Sequence, residues 1–224
     1  MRVRGHHLIL IPGLGVDERL FSCLTLDPRF PQTVIKWIPP VKNENLAAYA
    51  ARLASQIPPA GKLIFIGVSF GGIIATELAK LFSPELTVII SSIKSKTELP
   101  YYYRLAGALK LPYWLPLNFA KHFHAGQHFF FGPKTPTEKK MLHQIIRETD
   151  IGFVKWALTQ IARWPNKTVV PNLVHLHGTH DKLLLAAHLR NFIPIKKGTH
   201  FMIMSEAALI SQIINQELGK LKAL

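Results

Sequence analysis

Lys62-Leu63-Ile64-Phe65-Ile66-Gly67-Val68-Ser69-Phe70-Gly71-Gly72 is the stretch on which the fold turns. Residues 62–66 form a short apolar run with no polar alternation, which is how a strand buried on both faces reads. Residues 70–82 follow with helical character and stop before Ser83-Pro84. The chain therefore has to reverse within a tight elbow. Gly67 and Gly71 lack a Cβ where the backbone crowds, so the Ser69 hydroxyl stands exposed above a sheet and beside a helix N-terminus. The competing reading is a glycine-rich turn whose serine only caps the helix. A phosphate-binding loop is disfavoured, because both the Lys-Ser/Thr ending of a Walker loop and the full Gly-x-Gly-x-x-Gly spacing are missing.

Working outward, similar Ile, Val and Leu runs at 7–11, 33–38, 86–90, 172–177 and 192–195 predict five further strands. Helical spacing is found at 45–57, closed by Pro58-Pro59, and at 202–218, with Gly219 as the stop. This alternation predicts an α/β domain with a mostly parallel sheet of about six strands and helices on both faces. Residues 92–164 break the rhythm. They show no strand and are dense in aromatics, as in Tyr101-Tyr102-Tyr103, Pro112-Tyr113-Trp114-Leu115-Pro116 and Phe129-Phe130-Phe131, so a helical cap is expected there. The predicted organisation is 1–91 and 165–224 as two parts of one core, with 92–164 inserted between them.

At 224 residues, 48% of them hydrophobic and 18% charged, the chain has the apolar material for one large domain and is not disordered. The net charge is +14, and the 92–164 segment holds eleven Lys or Arg against four acids. Such a balance favours acidic substrates, acidic proteins, nucleic acid or anionic membranes without speaking to the fold. The single cysteine, Cys23, excludes an internal disulfide and points to a reducing, cytoplasmic setting. Met1-Arg2-Val3-Arg4 followed by the apolar 8–11 imitates a signal peptide, but the run ends too early at Pro12-Gly13. No membrane span is expected.

A serine hydroxyl needs a histidine to take its proton and an acid to orient that histidine. After the 172–177 strand comes Gly178-Thr179-His180-Asp181, and after 192–195 comes Gly198-Thr199-His200-Phe201-Met202. Each residue alone reads equally well as a turn or helix-start residue. Their order, Ser69, Asp181, His200, and their place at strand ends select them as a triad. The 91–95 loop offers no competing carboxylate before Glu98, and His180, beside Asp181, would have to leave its turn to meet Ser69.

With Ile11-Pro12-Gly13-Leu14-Gly15, these pieces resemble the α/β-hydrolase family over nearly the whole chain apart from the cap. The resemblance implies an α/β-hydrolase fold trimmed of two leading strands, and an oxyanion hole from the Leu14 and Phe70 N–H groups. Pro12 stands where the family commonly has histidine. The implied activity is serine-dependent hydrolysis of a small-molecule carboxylic ester through an acyl-enzyme. Dehalogenase and epoxide hydrolase chemistry, which the family assigns to aspartate at the nucleophile position, is disfavoured. Thioester hydrolysis stays open. In outline the chain is similar to pimeloyl-carrier esterases, which implies an acidic carrier protein docked on cap bases such as Lys139, Lys140 and Arg147. A non-catalytic ligand receptor is the alternative of another class, and a nucleic-acid binder has only the charge in its favour. No cofactor is expected. Neither His122, His124 and His128 nor His175, His177 and His180 come with a recognised metal-ligand spacing.

Overall fold

A computed structural model of the chain describes residues 5–59, 61–114 and 117–221. The charged opening 1–4 and the Leu115-Pro116 end of one aromatic run lie outside the described residues. In chain order the elements are β1 His6–Ile11, β2 Gln32–Val34, α1 Leu46–Leu53, β3 Lys62–Val68, α2 Phe70–Phe82 and β4 Leu86–Ile90. Six helices follow: α3 Tyr101–Ala108, α4 Leu111–Trp114, α5 Leu117–Ala120, α6 His124–Phe131, α7 Pro136–Glu148 and α8 Ile151–Ala162. The chain then returns through β5 Leu173–Gly178, β6 Ile193–Ile195, α9 Met202–Ser205 and α10 Ala207–Leu221.

All strand pairs are parallel, and the six strands lie in the order β2-β1-β3-β4-β5-β6. Strand side chains alternate between two apolar clusters. Ile9, Ile11, Leu63, Phe65 and Ile89 face one cluster with α1, α2 and α8. Leu8, Leu10, Ile64, Ile66, Val88 and Ile90 face the other with α7, α9 and α10. Both sheet faces are buried, which is why these strands read as continuous apolar runs. The cap helices α7 and α8 supply Leu142, Ile145, Phe153 and Trp156 to those clusters. Their N-termini are capped by Thr135 and Asp150, whose side chains accept from the Glu138 and Phe153 amides.

Three elements differ from the sequence expectation. The 33–38 strand is only Gln32–Val34, because from Lys36 onward the ladder bonds go to side chains. The Lys36 amide donates to Gln56 Oε1 (2.9 Å), and its carbonyl accepts from Gln56 Nε2 (2.9 Å). The 45–57 helix ends at Leu53 and tightens into a 3₁₀ turn, Ala54–Gln56. The 202–218 helix is two, broken at Glu206, which pairs with Lys134 of the cap. Gly219 does not stop α10, which continues to Leu221; an interior glycine costs a helix only about 1 kcal/mol.

The chain runs from β1 out to the edge strand β2 and then crosses back to β3 on the other side of β1. The strand order reverses between β1 and β3, and in open parallel sheets ligands gather beyond the C-terminal strand ends at such a reversal. The candidate site lies there.

Candidate active site

Ser69 joins β3 to α2 with φ 52° and ψ −118°, a left-handed backbone that L side chains rarely adopt. Such conformations cost about 1–3 kcal/mol and persist only where the surroundings over-determine them. Here the surroundings are specific. The Ser69 amide donates to the Ile90 carbonyl (2.8 Å), and its carbonyl accepts from the Gly72 amide (2.9 Å) and the Ser92 hydroxyl (2.7 Å). The glycines act through space. A Cβ on Gly67 would sit 2.6 Å from the Gly71 carbonyl carbon, and one on Gly71 would lie 2.7 Å from that of Ile11.

The three side chains chosen from sequence meet. Ser69 Oγ lies 2.9 Å from His200 Nε2, and His200 Nδ1 lies 2.8 Å from Asp181 Oδ2. An ionised carboxylate only accepts, so Nδ1 carries the proton and Nε2 is the free acceptor facing the hydroxyl. Asp181 also has the turn role that its local sequence suggested. Oδ1 accepts from the Leu183 and Leu184 amides at 2.8 and 2.9 Å, while Oδ2 serves His200. Burial pushes the Asp181 carboxyl up. The His200 imidazole, the Leu184 amide and His177 together outweigh it and hold the group below the usual carboxylate range.

The loop expected to hold the oxyanion is held in part by a residue that sequence reasoning missed. Trp37 Nε1 donates to the Gly13 carbonyl at 2.9 Å. Because the peptide is planar and trans, that bond turns the Leu14 N–H of the same unit the opposite way. Trp37 also lies against Phe70, ring centroids 5.2 Å apart, and so bonds to the peptide unit that carries one expected oxyanion donor and packs on the residue that carries the other. No local pattern marks it, since it is 24 residues from Gly13 and meets it only in the fold. Ser92 was missed for the same reason. Gly15 adopts φ 69° directly beneath Thr149, tying this loop to the α7–α8 junction.

The segment between β4 and β5 also reaches the histidine. The Phe201 amide donates to the Phe131 carbonyl (3.0 Å), the Thr199 hydroxyl to the Gly132 carbonyl (3.0 Å), and the Phe131 ring meets His200 edge-on. His180 is exposed, with its amide on the Gly198 carbonyl (2.8 Å), and the ring that meets the Ser69 hydroxyl is that of His200. His175 and His177 pack against Phe192, and His177 Nε2 donates to the Leu184 carbonyl at 2.7 Å. His124 and His128 instead gather with His143, and His122 is exposed. Among the described residues no group of three or more His, Cys, Asp or Glu is arranged to hold a metal ion.

No protein-family model matches the sequence, and no curated protein matches it either. Solved structures do match in fold. ClbQ from the colibactin NRPS/PKS pathway superposes with a TM-score of 0.67 at 16% identity, over 98% of this chain and 99% of that one. A thermophilic esterase from Thermogutta terrifontis gives 0.67 at 17% identity, over 98% and 91%. A meta-cleavage product hydrolase from Pseudomonas fluorescens IP01 gives 0.65 at 14% identity, over 98% and 92%. At these identities the likeness establishes the architecture, and the architecture is the α/β-hydrolase fold.

Proposed function

We propose that a chain folded in this way is a serine hydrolase that cleaves carboxylic esters. The observation that carries the reading is the unbroken line from Ser69 Oγ through His200 to Asp181, at 2.9 and 2.8 Å, built from three separate strand ends. In acylation His200 Nε2 takes the Ser69 proton as Oγ bonds to the ester carbon, and the carbonyl π electrons move to oxygen. The Leu14 and Phe70 N–H groups hold that oxyanion. Its collapse breaks the bond to the alkoxy oxygen, which leaves with the proton from Nε2. A water then gives a proton to Nε2 and adds to the acyl carbon. Ser69 departs and is reprotonated. Asp181 orients the imidazole and stabilises its charged form throughout.

Ser69→Ala removes the nucleophile and should lower kcat on p-nitrophenyl acetate by about 10⁴-fold or more while the fold is retained. The wild type should also be labelled at Ser69 by a fluorophosphonate. Retained turnover in the variant would refute Ser69 as the nucleophile, and a wild type inert to the probe would replace the enzyme with a ligand receptor. A second substrate reading, a thioester or ester on an acidic carrier protein, is favoured by the exposed Lys139, Lys140 and Arg147 of α7. It requires that reversing those charges lower turnover of the carrier-bound substrate in a salt-dependent way, leaving p-nitrophenyl acetate untouched.

A further inference from the structure

Between Glu98 and Glu138 the sequence contains no acidic residue at all, yet it holds Arg104, Lys110, Lys121 and Lys134 and ten aromatic side chains. The structure leaves many of those rings outside the core. Trp114, Tyr101 and Phe119 are 83%, 71% and 69% exposed, and Phe123 is stacked on Phe119 with centroids 6.2 Å apart. Leu105 and Leu109 are exposed beside them. Helices α3 and α4 both rest on α8, where Gly107 lets α3 approach Ala162 closely, while Leu105, Leu109, Leu111 and Tyr113 stay exposed. Arg104 on α3 and Lys110 in the turn between α3 and α4 are exposed, and among the described residues neither takes part in an ion pair.

Exposed rings and unneutralised cations on short helices match one kind of surface. Indole and phenyl groups partition into the headgroup boundary of a bilayer, and Lys and Arg are drawn to anionic lipid at about fivefold in affinity for each charge. An acidic protein would answer the cations. It would leave a protruding tryptophan and a stacked phenylalanine pair in water unless it offered shaped pockets for them. No described helix is long and apolar enough to cross a membrane, so the contact is one of lying on the surface. We propose that the exposed stretch 101–123 docks on an anionic lipid bilayer, with Trp114, Phe119 and Phe123 entering the interface and Arg104 and Lys110 on the headgroups. This proposal stands on the exposed face and is independent of the Ser69 chemistry.

Vesicle flotation with the full chain tests it, using phosphatidylcholine vesicles with and without phosphatidylglycerol. The anionic vesicles should carry at least about tenfold more protein, and raising NaCl from about 50 to about 500 mM should abolish most of the difference. Arg104→Glu/Lys110→Glu should weaken binding by about 25-fold or more, and Trp114→Ser/Phe119→Ser by a similar factor. Both variants should keep the wild-type circular dichroism and thermal midpoint. Trp37 is half-buried and Trp156 and Trp164 are buried, so brominated lipid should quench a Trp114 emission that Trp114→Phe removes. Equal binding to neutral and anionic vesicles, undiminished binding by the well-folded variants, or absence of quenching would each overturn the proposal. So would binding of acyl carrier protein to this face, weakened by the same substitutions, with no vesicle binding.

Discussion

Ser69, Asp181 and His200 are legible in the sequence because each sits in a short glycine-containing motif whose mechanics are local: an elbow after a strand, a turn after a strand, a turn before a helix. Trp37 is not legible, since its role exists only once β1 and the segment after β2 lie side by side. That role is testable. Trp37→Phe keeps an aromatic ring against Phe70 and deletes the side-chain bond to the Gly13 carbonyl, leaving that oxygen only the Val16 amide (3.1 Å). A hydrogen bond of about 1–1.5 kcal/mol that orients a transition-state donor should appear as a fall of about tenfold in kcat with KM nearly unchanged. Measured on p-nitrophenyl acetate, a changed KM with intact kcat would make Trp37 a wall of the acyl pocket and nothing more.

At the scale of elements, the strand–elbow–helix unit transmits the requirement for small residues far beyond the nucleophile. Gly71 is on α2, yet its absent Cβ is what allows that helix to lie on the backbone of Ile11 and Pro12 at the end of β1. Nothing flexible is available to move aside. Gly71→Ala should therefore cost about 3 kcal/mol or more, well beyond the usual effect of a glycine-to-alanine change in a helix, which on propensity alone would stabilise. Urea denaturation followed by circular dichroism decides it, and a midpoint equal to wild type would mean that the β1–α2 contact is looser than the geometry implies. The element boundaries were the less legible part of the fold. The ladder beyond Val34 was lost to the Gln56 side chain, and the break at Glu206 accompanies an ion pair with Lys134. Both are tertiary bonds with no trace in hydrophobic periodicity.

Across the whole molecule, the sheet places an ionisable group where its period demands an apolar one. His175 lies on the β5 face that looks toward the α2 side of the core; it is 2% exposed, and neither ring nitrogen reaches a partner with good hydrogen-bond geometry. Burial, then the neighbouring His177 and Lys94, push its pKa from 6.5 down to about 3, against a smaller upward pull from the Ser92 backbone. The native state thus refuses a proton that the unfolded chain accepts below about pH 6.5. Between those values the unfolded state binds more protons, so stability rises with pH and is lost on acidification, at up to about 1.4 kcal/mol per pH unit. Urea midpoints should accordingly fall by the equivalent of about 2 kcal/mol between about pH 7.5 and about pH 5 from this residue alone. His177, also held down chiefly by burial, adds in the same direction. The acidic groups work at lower pH: Asp181, whose pKa is depressed in the fold, withdraws its contribution only as pH falls below the ordinary carboxylate range. His175→Leu separates the two regimes, because it should flatten the dependence between about pH 7 and about pH 5 while leaving the more acidic limb in place. An unchanged slope in that variant would assign the acid sensitivity to the net charge of +14 instead, through general repulsion that a single buried side chain does not control.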